Sequence, residues 1–167
     1  MKTLLTAATF GLIMLPAWGQ TFDFNLDAVA AKAKEKAEIT LDKSMLDQAM
    51  PKVPDKIKDK LGNLSRLVVR HYEFDKPGMY ADSDLEGVRK LVSGAPDWSR
   101  IINVKDQNET VEIYMQNQAG KTTGFLLIAA EPKELTVVHV VGTVDIASLQ
   151  EVIKSTIQYD LKSVGGQ

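Results

Sequence analysis

The sequence contains no cysteine. That absence removes disulfides, thiolate metal sites and thiol nucleophiles. It also removes the residue at which a bacterial lipoprotein would be acylated. Such a chain depends on its core for stability. An excess of one charge is lacking too: 20 Lys and Arg against 22 Asp and Glu leave a formal net charge of −2. This balance gives no reason to expect nucleic acid or an anionic membrane as partner. No serine lies in a G-x-S-x-G elbow, and neither a P-loop nor a dinucleotide fingerprint occurs. Gly165-Gly166 belongs to the tail. Lys52, Lys56, Lys58 and Lys60 are interleaved with Asp55 and Asp59, as on a solvated helix face. Asn63-Leu64-Ser65 and Asn108-Glu109-Thr110 fit the glycosylation sequon but read as accidental matches.

Long apolar stretches are few, and the first stands at the N-terminus. Lys2 precedes an apolar run over residues 3–15, Pro16 breaks it, and Ala17-Trp18-Gly19 fits a signal-peptidase site. The run is short for a bilayer span. The expectation is a signal peptide over residues 1–19, cleaved after Gly19, with an uncleaved anchor as the alternative. The mature protein would be exported, periplasmic or extracellular, with no stable membrane insertion. Its length suits one domain.

The second apolar stretch, residues 122–142, predicts a hairpin turning at Glu131-Pro132-Lys133-Glu134. Both arms are apolar on both sides, so the hairpin needs cover on two faces. One arm alternates Phe125, Leu127 and Ala129 with Leu126, Ile128 and Ala130. The other alternates Leu135, Val137, His139 and Val141 with Thr136, Val138 and Val140. Before it, residues 110–117 read as a half-buried strand with Val111, Ile113 and Met115 inward and Glu112, Tyr114 and Gln116 outward. Residues 99–105 form a further strand, joined to it through Asp106-Gln107-Asn108. Residues 64–75 form the first long strand, rich in β-branched and aromatic side chains.

Two helices offer apolar stripes to this sheet. Residues 83–92 carry Leu85, Val88, Leu91 and Val92 behind a capping box of Ser83 and Glu86. Residues 146–157 carry Ile146, Leu149, Val152, Ile153 and Ile157 behind Asp145. Residues 20–62 read as a helical N-terminal segment: one helix from Asp23 or Asn25, a β-like break at Ile39-Thr40-Leu41, a second helix capped by Asp42, and a third from Pro54 to Gly62. The predicted class is α+β: a mainly antiparallel sheet of about five strands with helices packed on it. Residues 63–161 form the sheet domain, one unit with the preceding segment, and residues 162–167 a flexible tail.

Several blocks carry a family resemblance: Tyr72-Glu73-Phe74-Asp75, Trp98-Ser99-Arg100-Ile101, the run from Ala129 through Val138, Val141-Gly142 and Asp145-Ile146. In this order they resemble domain-of-unknown-function family 4252. The resemblance implies a small exported bacterial protein, with a possible link to envelope signalling and no catalytic residues to carry over. Members often bear a lipidated cysteine, and this chain has none.

Among candidate chemical groups, His71, Glu73 and Asp75 alternate along one strand face, where imidazole and carboxylates could hold a divalent metal or serve acid–base catalysis. A hydrated polar face at a strand end is the favoured reading of them. His139 lies within an apolar strand and reads as a core histidine. The leading expectation is a non-enzymatic binding domain for another envelope protein, without a cofactor, using the face around His71, Glu73 and Tyr114 or any uncovered part of the hairpin. A metal-assisted enzyme built on His71, Glu73 and Asp75 is one alternative. A carrier of a small apolar ligand is the other.

Overall fold

A computed structural model describes residues 24–49, 51, 55, 58 and 63–143. The expected signal peptide, the helix over residues 146–157, the tail and most of the third N-terminal helix lie outside these residues. The described chain runs α1 (Asp27–Ala30), β1 (Glu35–Asp42), α2 (Lys43–Ala49), β2 (Leu64–Glu73), α3 (Glu86–Ser93), β3 (Trp98–Lys105), β4 (Thr110–Gln118), β5 (Lys121–Glu131) and β6 (Glu134–Gly142). A 3-10 turn, Asp82–Leu85, leads into α3.

The strands form one six-stranded antiparallel sheet in the order β1-β2-β6-β5-β4-β3. The α+β class and antiparallel sheet are therefore as expected, with one strand more than anticipated. The additional strand is β1, which extends the β-like break expected at Ile39-Thr40-Leu41 and takes the place of the second half of the expected first helix. Helix α1 spans four residues, its Asp27 amide donating to Asn25 Oδ1 at 2.8 Å. The chain then extends along the free edge of β2, with Ile39 opposite Val69 and Leu41 opposite Leu67. Residues such as Ala37, Lys36 and Glu38 are good helix formers, but pairing with an exposed edge satisfies a whole row of backbone groups and overrides that preference. Arg70 reinforces the pair: its guanidinium donates to Ile39 O at 2.9 Å and to Thr40 Oγ1 at 3.1 Å. The Asp42 cap on the following helix is present, with Asp42 Oδ1 accepting from the Met45 amide at 2.9 Å.

The start of α3 also differs from its expected form. The capping carboxylate is that of Asp84, which accepts from the Ala81 amide at 3.0 Å. Glu86 instead reaches forward to Lys90, at 3.6 Å. The acid lies one tight turn earlier because the helix opens in 3-10 geometry.

A two-residue turn, Pro132-Lys133, sets the hairpin register: Ile128 opposes Val137, Leu126 opposes His139, and Leu127 opposes Val138. Residues directly opposite share a face. One face of the central sheet therefore holds Leu126, Ile128, Leu135 and Val137, and the other Phe125, Leu127, Val138 and Val140. Helix α1 supplies Val29 to the first face, the 3-10 turn Leu85, and α3 Val88 and Val92, beside Tyr72 and Trp98. The second face clusters with Leu46 of α2, Leu67 and Val69. Both faces are buried at their centre, Ile128 at 0 % and Phe125 and Val138 at 1 % exposure.

Burial corrects the inward–outward assignment of β4. Ile113 is buried as expected, but Glu112 and Tyr114 are buried too, whereas Val111 and Met115 are only half-buried. The alternation itself is present; the polar side is the one that α3 covers, while cover thins over the apolar side. The reason lies in α3, whose Arg89 supplies a charge partner to the buried Glu112.

Candidate functional site

The four residues singled out as a site do not converge. His71 and Glu73 project from β2 to the second face of the sheet, since His71 opposes Thr136 and Glu73 opposes Glu134. Tyr114 sits in β4, opposite Leu126, and therefore projects to the first face. Strands β6 and β5 stand between. A shared surface around His71, Glu73 and Tyr114 does not exist. Asp75 lies beyond the end of β2, exposed and 3.9 Å from Lys34. The physical reason is the pleat: strand alternation places residues on faces, but only the strand order says which faces meet.

His71 has other neighbours. Its side chain is buried at the end of the sheet, and Nδ1 lies 2.9 Å from Thr136 Oγ1. Glu73 Oε1 is 3.7 Å from Nε2, and Glu134 Oε1 is 3.7 Å from Nδ1. Both glutamates are about half-exposed. Glu134 is a residue that strand alternation in β2 could not reveal, because it comes from β6. The two-residue hairpin turn and the pairing of β6 with β2 bring it there. Among the described residues, no group of three or more His, Asp and Glu side chains is gathered as a preformed metal cluster.

Tyr114 belongs to a buried charged network. Arg89 donates from Nε to Glu112 at 3.0 and 3.2 Å and from Nη2 to Asp82 at 2.7 Å. Tyr114 Oη donates to Glu112 Oε2 at 2.8 Å. Hydrogen bonding to Arg89 holds the Asp82 carboxyl below its ordinary range. Burial, reinforced by the hydrogen bond to Glu112, pushes the Tyr114 hydroxyl upward. The network is saturated by its own members, so its chemistry is that of a clamp between α3 and β4.

One open cleft, about 260 Å³, lies between Tyr80, Asp82, the β3–β4 turn and the β5–β6 turn. Its walls include Lys105, Asp106, Asn108 and Glu109. Asp106 is committed to the turn, accepting from the Asn108 and Glu109 amides at 2.7 and 2.9 Å. Tyr80 Oη donates to the backbone carbonyls of Glu131 and, at 3.0 Å, Glu134. Burial, then the charge of Glu131, pushes this phenol up to about 12. The cleft is lined by polar and apolar groups together, Leu85, Ala130 and Pro132 among the latter, and is below the size usual for small-molecule sites.

His139 is a core residue, 1 % exposed, on the α3 side near Trp98, with ring centroids 6.0 Å apart. Burial, followed by the positive charge of Arg66, lowers its pKa to about 4 from an ordinary 6.5. Between these values the unfolded chain binds a proton that the folded chain refuses, so stability is complete above pH 6.5 and declines as pH falls towards 4. At about 1.4 kcal/mol per unit, the loss approaches 3 kcal/mol. Urea titrations from pH 7 to pH 4 should show that slope, and His139→Asn should flatten it. An unchanged slope in the variant would place the proton uptake elsewhere.

The comparison with curated proteins gives no match. The family comparison gives one, over residues 31–152, an interval that contains all six strands, α2, α3, His71, Arg89 and Glu112. On that span the chain belongs to the family described as Domain of unknown function (DUF4252).

Proposed function

We propose that this protein is an exported, non-enzymatic binding domain that docks an extended segment of another envelope protein along β3. The observation that carries the reading is that β3, among the described residues, ends the sheet with no strand on its outer side. Six of its eight residues are exposed, among them Ile101 at 37 % and Val104 at 51 %. On the second face, the row Val138, Leu127, Ile113 and Ile102 stays buried or half-buried up to β3, whereas nearer the β3–β4 turn Val111 of β4 is half-buried and Val104 of β3 half-exposed. An unpaired strand offers backbone donors and acceptors to an added strand, and the apolar positions beside it offer specificity.

The charges on the edge are Arg100 and Lys105, both positive. A bulge at Ile101 interrupts its register with β4. Bulges and like charges disfavour pairing of two such edges with one another. A segment alternating apolar and acidic residues satisfies both features. A role in envelope signalling belongs to this same proposal.

The uncovered-hairpin alternative has lost its support, since both faces of β5 and β6 are buried at their centre. The open cleft is too small to enclose a carried apolar ligand.

The mature protein, immobilised, should retain a partner from envelope extract in a salt-sensitive manner. Val104→Asp with Lys105→Glu should weaken that retention at least about tenfold, or ~1.4 kcal/mol, with an unchanged circular dichroism spectrum. Equal retention by the folded variant would move the docking surface off β3.

A further inference from the structure

The sheet ends in β1 on one side and β3 on the other, and among the described residues neither has a strand on its free side. The two edges carry opposite charge. On the first face β3 presents Arg100 and Lys105, opposite Tyr114 and Thr110 of β4. On that same face β1 presents Glu38 and Asp42, opposite Arg70 and Arg66 of β2. All four charged residues are exposed, and neither Arg100 nor Lys105 enters an ion pair among the described residues. The second face is apolar at both edges, with Ile102 and Val104 on β3 and Ile39 and Leu41 on β1. Strand β1 keeps its ladder with β2 through eight residues without an irregularity and contains no proline. A regular edge of this kind is a template for strand addition.

Topology lets the two edges meet. Six strands, each antiparallel to the next, leave β1 and β3 running in opposite directions. A second copy laid beside β3 with its faces aligned therefore brings its β1 antiparallel to β3. Opposite residues of such a ladder share a face. One register satisfies both faces. Lys105 meets the second copy's Glu38, Val104 its Ile39, Asn103 its Thr40 and Ile102 its Leu41. The bulge between Arg100 and Ile102 supplies the extra residue that sets Arg100 against Asp42. Two pairs of opposite charge lie on one face and two apolar pairs on the other. Lys36, the one basic residue of β1, falls beyond the end of β3, opposite Gln107. Sliding by two residues sets Lys105 against Lys36, or in the other direction leaves Arg100 without an acid. Sliding by one reverses every face.

Resting on the reading of β3 as an edge that accepts an added strand, we propose that its resident occupant is β1 of a second copy of this chain, which the envelope partner has to displace. The contact is heterologous, since each copy gives β1 and receives on β3. A joined pair therefore still offers one free β1 and one free β3, and assemblies grow with concentration instead of stopping at two. A single added strand buries little surface compared with a stable dimer, so the association is weak and reversible. That suits an occupant that must leave. Self-association then sets how much β3 is open, and the apparent affinity for the partner falls in proportion to the share of β3 already covered.

Sedimentation velocity of the mature protein should show a weight-average mass above that of one chain, rising with protein concentration and falling with added salt. Glu38→Gln with Asp42→Asn removes both charges but keeps an acceptor for Tyr72 Oη and the cap on the Met45 amide, so the fold is retained. That pair should weaken self-association at least about tenfold. Arg100→Glu with Lys105→Glu should act in the same way from the other edge, and adding Glu38→Lys and Asp42→Lys to that chain should restore association. Circular dichroism establishes that each variant is folded. A wild type that stays monomeric at every concentration would overturn the assignment, as would association unchanged by the Gln and Asn pair. Retention of the envelope partner is measured beside it. The Gln and Asn variant has an intact β3 and should retain the partner at least as well as the wild type. A monomeric wild type that still holds a partner through β3 defeats this inference alone, whereas self-association without any retained partner defeats only the docking of another protein.

Discussion

Replacing Arg89 with alanine should cost about 3–5 kcal/mol of unfolding free energy, because it strands a buried carboxylate. The Glu112 side chain is 7 % exposed and depends on Arg89 Nε and Tyr114 Oη for its hydrogen bonds. Removing the guanidinium leaves the phenol alone to solvate that charge. Asp82 simultaneously loses the group that holds its carboxyl below the ordinary range, and the 3-10 turn loses its tie to α3. Replacing the clamp as a unit, Arg89→Met with Glu112→Leu and Tyr114→Phe, should recover most of the loss, since no unpaired polar atom then remains. Urea denaturation of the two variants beside the wild type reads both effects. A loss under 1 kcal/mol for Arg89→Ala would mean that water reaches Glu112 and that the clamp contributes little.

Gly142→Ala should be of similar size, about 3 kcal/mol or more, from steric conflict and backbone strain together. Gly142 ends β6 with φ of 139°, outside the range that L side chains favour. A Cβ there would stand 2.2 Å from Asn63 O and 2.7 Å from Leu64 Cα. Both obstacles are backbone atoms of the strand with which β6 pairs, so no rotamer change relieves them. The clash falls where β2 enters the sheet, beside the register irregularity between Leu64 and Arg66. Gly87→Ala is the matched control. No atom lies within 4 Å of the added methyl in α3, and the lower backbone entropy of alanine should stabilise the protein by about 0.5–1 kcal/mol. Thermal melts of both variants should move in opposite directions. Gly142→Ala melting with the wild type would show that the β2–β6 junction yields at no cost.

Legibility from sequence differed from element to element. The hairpin, β2, β3, β4 and the amphipathic stripe of α3 were readable because each carries its period locally. β1 was legible only at Ile39-Thr40-Leu41, since the Ala, Lys and Glu content of residues 35–38 favours a helix and only the free edge of β2 makes a strand there. The candidate site divided the same way. Strand alternation correctly put His71 and Glu73 on one face, yet joined them to Asp75 and Tyr114, which lie beyond the strand and on the other face. Glu134 and Thr136 had no local signal linking them to His71. The turn Pro132-Lys133 would have paired Glu131 with Glu134 from sequence alone, but not Glu134 with Glu73.

By itself, then, the sequence determined the antiparallel character of the sheet, the double-sided apolar hairpin at its centre and the absence of thiol chemistry. Those properties follow from the period of side chains along a strand and from composition. Tertiary structure decided which charges meet: Arg89 with Glu112 across α3 and β4, and His71 with Glu73 and Glu134 across β2 and β6. It also decided that β3 is an edge strand among the described residues. The physical reason is common to all three. Alternation assigns each residue a side of its own strand, whereas strand order and register, fixed by burial of the whole sheet, determine its neighbours.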